Sequence, residues 1–259
     1  MAKSLAFQEY GKGPPIIILH GLFGSSQNWR SMAERLADRY RVFACDLRNH
    51  GLSPWADSMT YPEMADDLET LMDENGVSSA TVLGHSVGGK TAMLVALRHP
   101  DLIEELIVVD IAPVSYQEPF LDYIRAMQEA LRNGATRKVE VDAALASAVA
   151  DPATRLFLLQ NLEERNGRLE WRINLDAIAA NMSDLLAFPD VSNLEYQGRA
   201  LFVSGARSDY IGRAYHGQIY ELFPQAEFAV IAESGHYPHA EQPKQFFRRI
   251  TGFLESAYA

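Results

Sequence analysis

The sequence is poor in cysteine and contains no long apolar run. Cys45 is the only cysteine in 259 residues, so no disulfide can form within the chain, which is typical of a reducing compartment. No apolar stretch reaches the length of a membrane span, and the N-terminal stretch MAKSLAFQEYGKG lacks the apolar core of a signal peptide. These absences predict a cytoplasmic protein without membrane insertion.

Positive charge is also scarce. The chain has 23 lysines and arginines against 34 aspartates and glutamates, which gives a formal net charge of −11. Because no basic stripe is available to neutralise phosphates, we expect no nucleic-acid partner. The 7 histidines include no pair at metal-binding spacing, so no metal site is expected. The acidic balance is compatible with a small neutral substrate, and we expect a monomer or a small homo-oligomer.

Short apolar runs alternate with amphipathic segments along most of the chain. Continuous rather than alternating hydrophobicity predicts a parallel sheet covered on both faces. The clearest helices are 60–76, where Thr60 and Glu63 form a capping box, and 28–40, whose apolar residues share one face. The predicted buried strands are 14–20, 40–46, 79–86, 105–113, 199–206 and 227–236. Strand–helix alternation of this kind predicts a doubly wound α/β sheet.

The alternation breaks once, between two late strands. Residues 113–199 contain amphipathic helical segments and one weak strand candidate, 169–173. So long an excursion from a sheet is typical of a functional insertion. We therefore predict a core made of residues 1–112 and 200–259, with residues 113–199 inserted over the sheet as a helical cap.

The stretch LGHSVGGKTAM, residues 83–93, matches two catalytic signatures. As G-x-S-x-G centred on Ser86 it is the nucleophile elbow of a serine hydrolase. As G-x-x-x-x-G-K-T it is a phosphate-binding loop, and the apolar run before Asp110 has the form of the magnesium-binding strand that would accompany it. Composition makes the phosphate-loop pattern rarer by about tenfold. The motif alone therefore does not decide between them.

The serine-hydrolase interpretation explains more of the chain. Gly84 and Gly88 remove side chains that would collide around a sharp turn at Ser86. Val87, at the start of the next helix, would point its N–H at an oxyanion. A nucleophilic serine also needs a base, and His236 in SGHYPHAEQP follows the last predicted strand.

The loop HGLFGSS, directly after the first apolar run, supplies a second oxyanion donor from Leu22 or Phe23. Under the phosphate-loop interpretation this loop and SGHYPH have no role. Lys90 and Thr91 then belong to the helix after the elbow, where we expect Thr91 to pack and Lys90 to reach solvent. We expect His239 to pair with Glu241 rather than to act as the base.

Five segments together resemble the YbfF-type bacterial esterases and their mitochondrial hydrolase relatives within the α/β-hydrolase superfamily: HGLFGSSQNW, DLRNHGLSP, GHSVGGKTAM, VVDIAPV and SGHYPHAEQP. The resemblance covers most of the chain and is weakest in residues 113–199. It implies an α/β-hydrolase fold and a carboxylic-ester hydrolase with no metal or organic cofactor. A serine nucleophile differs from the aspartate of the dehalogenase and epoxide-hydrolase branches.

Three aspartates are candidates for the acid that orients His236. Asp110 ends a strand beside the nucleophile strand, where ligands and catalytic groups gather in open α/β sheets, and the resemblance favours it. Asp209 lies one residue beyond the usual superfamily position, which Ser208 occupies. Asp176, in the predicted cap, is the third candidate. Asp110 is preferred, and the other two stay as alternatives.

We expect the substrate pocket to lie between the elbow and the cap. The aromatic candidates for its lining are Phe23, Tyr116, Phe120 and Tyr210, with core packing as the alternative for each. The predicted activity is hydrolysis of carboxylic esters, or of acyl-thioesters, of small to medium apolar substrates through an acyl-enzyme on Ser86, with His236 as general base and then acid. A cofactor-free C–C bond hydrolase or perhydrolase on the same triad is one alternative. A non-catalytic ligand receptor is another, and a phosphate-loop nucleotide hydrolase is the outside alternative.

Overall fold

The computed structural model describes residues 1–256 of the chain, so residues 257–259 of the predicted core lie outside the described part. The strands are β1 (Phe7–Tyr10), β2 (Pro15–Leu19), β3 (Arg41–Cys45), β4 (Ala80–His85), β5 (Ile103–Val109), β6 (Leu162–Arg165), β7 (Arg168–Trp171), β8 (Arg199–Gly205) and β9 (Ala226–Ile231). The first helices are α1 (Arg30–Leu36), α2 (Tyr61–Glu74), α3 (Val87–Arg98), α4 (Phe120–Arg132), α5 (Lys138–Leu145) and α6 (Pro152–Leu158). The remaining helices are α7 (Leu175–Ala180), α8 (Met182–Leu186), α9 (His216–Leu222), α10 (Pro238–Glu241) and α11 (Pro243–Ser256). No helix within residues 1–256 has both the length and the apolar character needed to cross a membrane.

A mostly parallel sheet forms the centre of the molecule. Within the described residues it has seven strands in the order β1-β3-β2-β4-β5-β8-β9. β1 pairs antiparallel with β3 at one edge, and the other neighbours run parallel. The parallel strands therefore end at the same edge of the sheet, which is where open α/β sheets bind ligands. The predicted fold class is confirmed.

Both faces of the sheet are buried, and this explains the continuous apolar runs. Successive side chains of a strand point to opposite faces, so Ile16 and Ile18 enter one core while Ile17 and Leu19 enter the other. Helices α1 and α11 cover the first face, and α2 and α3 cover the second. Two buried faces make the central strands apolar along most of their length, which is the pattern expected of a doubly wound sheet.

Local signals in the sequence set several helix starts. Thr60 precedes α2, and its backbone N–H donates to the Glu63 carboxylate at 3.3 Å, as the capping box predicts. Asp151 caps α6 by accepting from the N–H of Thr154 at 2.8 Å, and Pro152 is the first residue of that helix. Asp151 therefore starts a helix that is separate from α5.

The chain leaves the sheet after β5 and returns at β8. Helices α4 to α8 and the antiparallel hairpin β6–β7 lie in between, and the weak strand candidate at 169–173 overlaps β7. The hydrophobic pattern of the sequence did not predict β1 and β6, because their sequences FQEY and LEER contain too few apolar residues to indicate a strand. That residues 113–199 form a separate cap stays a prediction.

A buried ion pair holds the loop after β3. Arg48 donates through Nε to the Asp67 carboxylate of α2 at 2.6 Å, and both side chains are 1% exposed. Its guanidinium also contacts the Glu63 carboxylate at 3.2 Å and donates to the Glu63 carbonyl at 3.1 Å. Several acceptors satisfy the N–H donors of the planar Arg48 guanidinium, so the segment RNHG is fixed to α2.

Candidate active site

Ser86 lies at the turn between β4 and α3. Its backbone has φ 52° and ψ −119°, a region that non-glycine residues rarely adopt, and its N–H donates to the Val109 carbonyl at 3.0 Å. Such conformations cost on the order of 1–3 kcal/mol and persist only where the surroundings enforce them. The side chain is placed at the carboxyl edge of the sheet, as expected for a nucleophile elbow.

The two glycines of the elbow are required by close backbone contacts. A Cβ on Gly84 would lie 2.2 Å from the Gly88 carbonyl oxygen, and one on Gly88 would lie 2.5 Å from the His20 carbonyl oxygen. Neither obstacle is a flexible side chain, so larger residues could not be accommodated by a rotamer change. The spacing G-x-S-x-G is therefore explained by packing around the strained serine.

Asp110 and His236 meet at the same edge. Asp110 directly follows β5, has φ 53° and is fully buried, and its Oδ2 lies 2.8 Å from His236 Nδ1. Its Oδ1 accepts from the N–H of Gly205 at 3.1 Å, and Oδ2 also accepts from the Ser208 hydroxyl. Three donors converge on one carboxylate, which fixes its orientation and that of the imidazole.

The other two acid candidates make no hydrogen bond to His236 within residues 1–256, although Asp209 lines the same cleft as His236. Asp209 is exposed, and Asp176 is exposed at the start of α7, where it accepts from the side chain of Gln128. Ser208 occupies the usual acid position of the superfamily, and the sequence prediction assigned it no role. The structure places its hydroxyl on Asp110 instead.

The loop that carries His236 is held against the elbow by His85. The Nε2 of His85 donates to the His236 carbonyl at 2.8 Å, and the two rings lie 4.6 Å apart. Burial, together with the nearby His236 and His239, lowers the pKa of His85 well below its usual value, so the ring is neutral.

The expected pair of His239 and Glu241 is not formed. The His239 ring stacks on Trp29 with centroids 4.0 Å apart, and burial lowers its pKa to about 3. The Glu241 carboxylate instead accepts from the N–H groups of Gly235 and Tyr237. An ion pair with Glu241 would require a charged His239 imidazole to be desolvated in this buried position. The neutral ring stacked on Trp29 avoids that cost.

The candidate oxyanion donors surround Ser86. Val87 is the first residue of α3, so its N–H has no partner within the helix. A Cβ on Gly21 would lie 3.1 Å from the Ser86 Cβ, which places the HGLFG turn directly against the elbow. Phe23 has φ 60°, and its N–H donates to His50 Nε2 at 3.2 Å. Within residues 1–256 no protein acceptor is bonded to the N–H of Leu22.

Two neutral histidines connect this turn to the loop after β3. His50 accepts from Phe23 and donates through Nδ1 to the Arg48 carbonyl at 3.0 Å, while His20 Nε2 accepts from the N–H of Leu47 at 3.0 Å. Burial lowers the pKa of His50 to about 3, and it also lowers the pKa of His20. Because protonation would remove the accepting lone pair, the neutral state is the one that preserves these bonds.

Lys90 is buried, so the prediction that it reaches solvent is wrong. Its Nζ donates to the carbonyls of Leu186 and Ala187, at 3.1 and 2.6 Å, and Tyr61 donates to the Leu185 carbonyl at 2.6 Å. Burial lowers the pKa of Lys90 to about 7. The lysine of the phosphate-loop pattern therefore closes the C-terminal end of α8 by donating to carbonyls that have no partner within the helix. Thr91 is packed, as predicted.

The aromatic lining candidates fall into two groups. The Phe23 and Phe120 rings pack edge to face with centroids 5.8 Å apart, so the HGLFG turn contacts α4. Tyr116 and Tyr210 line a cleft of about 470 Å³ that also includes His236, and the Tyr210 and His236 rings are stacked at 4.2 Å. A larger cavity of about 550 Å³ is lined by residues 113–115 and 188–195 and by α9, and none of the candidate catalytic residues lines it.

Tyr116 also has a bonding role that the sequence did not reveal. Its hydroxyl accepts from the N–H of Ala112 at 2.9 Å and donates to the Tyr210 carbonyl at 2.7 Å. It thereby joins the segment after Asp110 to the segment after Ser208.

Within residues 1–256 no group of three His, Cys, Asp or Glu side chains is arranged to hold a metal ion, and the expectation of a cofactor-free site stays a prediction.

A parallel sheet with a strained serine after its central strand, an acid after the next strand and a late histidine has the architecture of the α/β-hydrolase class. The family described as alpha/beta hydrolase fold matches residues 14–243. The chain belongs to this family.

Named relatives are similar over nearly the whole chain. The sn-1-specific diacylglycerol lipase ABHD11 of Xenopus tropicalis is 42% identical over 253 residues, which are 95% of this chain and 79% of that protein. Esterase YbfF of Escherichia coli is 33% identical over 248 residues, or 95% of each chain. A solved structure described as a marine microorganism esterase superimposes with a TM-score of 0.91 at 37% identity, covering 97% of this chain and 100% of that one. The resemblance inferred from the five motifs is confirmed.

Proposed function

We propose that this carboxylic ester hydrolase works through an acyl-enzyme on Ser86, with His236 as general base and acid and Asp110 as the group that orients it. The observation that carries the proposal is the 2.8 Å contact between His236 Nδ1 and Asp110 Oδ2 at the edge of the sheet where the strained serine lies. The Nδ1–H of the imidazole is engaged by the carboxylate, so Nε2 is left with the lone pair that accepts a proton.

The reaction proceeds in two halves. Ser86 Oγ attacks the ester carbonyl carbon while His236 Nε2 takes the hydroxyl proton, and the carbonyl oxygen becomes an oxyanion. Collapse of this intermediate breaks the bond to the alcohol oxygen, which receives the proton from His236. A water then attacks the acyl-enzyme, again giving its proton to His236, and the carboxylic acid leaves as Ser86 regains its proton.

The N–H groups of Leu22 and Val87 are proposed as the oxyanion donors. The N–H of Phe23 is bonded to His50, which removes it from competition, whereas that of Leu22 has no protein partner within residues 1–256. Val87 adds its N–H at the start of α3, where the helix dipole favours negative charge. Two preorganised donors supply the largest single contribution to many acyl transfers.

The substrate is proposed to be an ester, or an acyl-thioester, of small to medium apolar groups. The names of the relatives, esterase and diacylglycerol lipase, support ester hydrolysis. The leaving group has to lie on the side of the histidine that protonates it, so we assign it to the cleft of Tyr116 and Tyr210. The acyl group is assigned to the side of Phe23 and Phe120.

Three further features belong to the proposal. Residues 113–199 act as a cap over this site, and the working form is a monomer or a small homo-oligomer. A cytoplasmic location rests on the single cysteine, Cys45, which is buried and unpaired.

The test is a chain-length series of aryl esters and acyl-thioesters, run on the wild-type enzyme and on Ser86→Ala. We expect turnover of the shorter aryl esters to fall to the background level in the variant, and the profile across the series to define the acyl length. Absence of ester hydrolysis above the Ser86→Ala background would contradict the proposal. Rapid labelling by a fluorophosphonate without turnover would instead favour a ligand receptor.

A further inference from the structure

The turn that carries the proposed oxyanion donor Leu22 has an unfavourable backbone conformation. The N–H of Gly24 donates to the Gly21 carbonyl at 2.9 Å, which closes a four-residue turn, and Phe23 at its third position has φ 60°. A turn of this type usually has glycine at that position, since a Cβ is disfavoured at positive φ. The turn therefore needs support from outside its own residues.

That support comes from two sides, one of them the inserted segment. On the core side, the Phe23 N–H donates to His50. On the other side, the Phe23 carbonyl accepts from Asn161 Nδ2 at 2.7 Å. Asn161 ends the short helical turn 159–161 that follows α6, and it is 2% exposed. Both polar groups of the Phe23 backbone are thus held by buried side chains, one from the core and one from the cap.

Asn161 is itself fixed in place. The backbone carbonyl of Asn161 accepts from the N–H of Arg172, next to the hairpin β6–β7, at 2.8 Å. Its side-chain Nδ2 also donates a second, longer hydrogen bond to the Leu158 carbonyl at 3.3 Å. The Phe120 ring of α4 packs on the Phe23 ring from the same side. Several parts of the inserted segment therefore converge on one residue of the oxyanion turn.

We propose that Asn161 is a positioning residue that makes the oxyanion hole dependent on the docked cap, an inference that rests on the serine mechanism proposed above. If the Phe23 carbonyl loses its donor, φ of Phe23 can relax to negative values, which rotates the two peptide groups that flank Phe23. The turn closed by the Gly24 N–H and the Gly21 carbonyl then changes shape, and this change displaces the N–H of Leu22 inside it from the oxyanion. A displacement of about 1 Å in such a group can lower a rate by on the order of 100-fold. The enzyme would then be fully competent only with the cap in contact with the turn.

The neighbouring residue offers a matched control. Gln160 lies in the same short turn and contacts the same region of the core, since its Oε1 accepts from Asn28 Nδ2 at 2.6 Å. Gln160 is exposed, and within residues 1–256 it makes no hydrogen bond to residues 21–24. A general loosening of the cap should affect variants at both positions, whereas a specific effect on the turn should appear only at Asn161.

The experiment compares Asn161→Asp, which replaces the donor by an acceptor of the same shape, and Asn161→Leu with Gln160→Leu and the wild-type enzyme. For each protein, kcat and KM are measured with p-nitrophenyl butyrate as the substrate. Binding is measured for two inhibitors. Butylboronic acid forms a tetrahedral adduct on Ser86 that occupies the oxyanion hole, whereas p-nitrophenyl butyl ether lacks the carbonyl. We expect both Asn161 variants to lose on the order of 100-fold in kcat and in boronate affinity, with KM and ether affinity changed less than about threefold. Gln160→Leu should match the wild-type enzyme.

Two results would overturn the inference. Folded Asn161 variants with unchanged kcat and boronate affinity would exclude the positioning role, and equal losses of boronate and ether affinity would indicate a merely structural one. Asn161→Ser is measured in place of either variant if circular dichroism shows that it does not fold. If the wild-type enzyme itself shows no hydrolysis above Ser86→Ala, the proposed function fails, which is a different outcome from wild-type activity that is insensitive to Asn161.

Discussion

Asp110 Oδ2 lies 2.8 Å from His236 Nδ1, although the two residues are 126 positions apart in the chain. The same carboxylate accepts from Ser208 and from the backbone N–H of Gly205, so it cannot turn away from the imidazole without losing other bonds. This arrangement holds the ring with Nε2 free to receive a proton. A fully buried acid with this geometry is expected to affect turnover far more than substrate affinity.

Substitution at the three candidate acids should separate them. Asp110→Asn keeps the shape but favours the wrong imidazole tautomer, so we expect kcat to fall by about four orders of magnitude with little change in KM. Asp209→Asn and Asp176→Asn should stay near the wild-type rate, because both side chains are exposed. The measurement is steady-state hydrolysis of an aryl ester, and near-normal turnover by Asp110→Asn would refute the assignment.

The buried amine of Lys90 should make stability depend on pH. Burial lowers its pKa from 10.5 to about 7. Between these values the unfolded chain holds a proton that the folded chain releases, so folding stability rises with pH in that window. We expect the unfolding free energy of the wild-type protein to increase relative to Lys90→Met from pH 7 to pH 10, by up to about 1.4 kcal/mol per pH unit.

Urea unfolding of both proteins at several pH values provides this measurement, because other titrating groups cancel in the difference. Lys244 lies in an exposed part of α11, so Lys244→Met is the control that shows how removal of an exposed lysine charge changes the unfolding free energy. A stability difference between wild type and Lys90→Met that is constant from pH 7 to pH 10 would show that the amine is not held in the deprotonated form.

The elbow glycine Gly84 should not tolerate even one methyl group. A Cβ there would lie 2.2 Å from the Gly88 carbonyl oxygen, so we expect Gly84→Ala to lower the unfolding free energy by about 2–3 kcal/mol or more and to abolish activity. Gly252→Ala in α11, where a Cβ meets nothing within 4 Å, should instead stabilise by about 0.5–1 kcal/mol. Thermal unfolding of Gly84→Ala and Gly252→Ala distinguishes backbone crowding at Gly84 from a general effect of replacing glycine. Equal changes in Tm for the two variants would contradict the prediction.

The ion pair of Arg48 and Asp67 should be essential for stability, unlike the surface pairs. Both side chains are 1% exposed, so Asp67→Ala leaves a buried guanidinium without its main partner, and a loss of about 3–5 kcal/mol is expected. Glu34→Ala breaks the exposed pair with Arg30, and its effect on stability should be close to the limit of measurement. Denaturant unfolding tests this contrast, which fails if the two losses are similar.

Much of the fold could be predicted because the central strands have no polar side. Ile16 to Leu19 alternate between two apolar cores, so the run is continuous and easily recognised. β1 and β6 were missed for the opposite reason, since their sequences contain mostly polar residues and their pairing depends on a neighbouring strand. Ser86 could be nominated from its motif, His236 from its place after the last predicted strand, and Asp110 from its place at a strand end together with the family resemblance.

Contacts between distant segments could not be predicted. The pairing of Ser208 with Asp110, of His50 with Phe23 and of Asn161 with the oxyanion turn depends on which loops meet, and no local pattern encodes that. Lys90 illustrates the same limit, because a lysine on a helix is normally solvated. Here residues 87–97 of α3 are all buried, and the C-terminal end of α8 covers the amine.

The insertion between β5 and β8 also has a consequence for how the chain folds. These strands are neighbours in the sheet, yet residues 110–198 separate them in sequence. Closing so long a segment adds little to the equilibrium cost, since each doubling of its length contributes only about 0.6 kcal/mol. Its kinetic effect is larger, because distant pairings slow folding and leave the apolar edge of β5 unpaired until β8 has been synthesised. A nascent chain that ends within the cap therefore exposes a template for aggregation, so its dependence on chaperones should be greatest at that stage of translation.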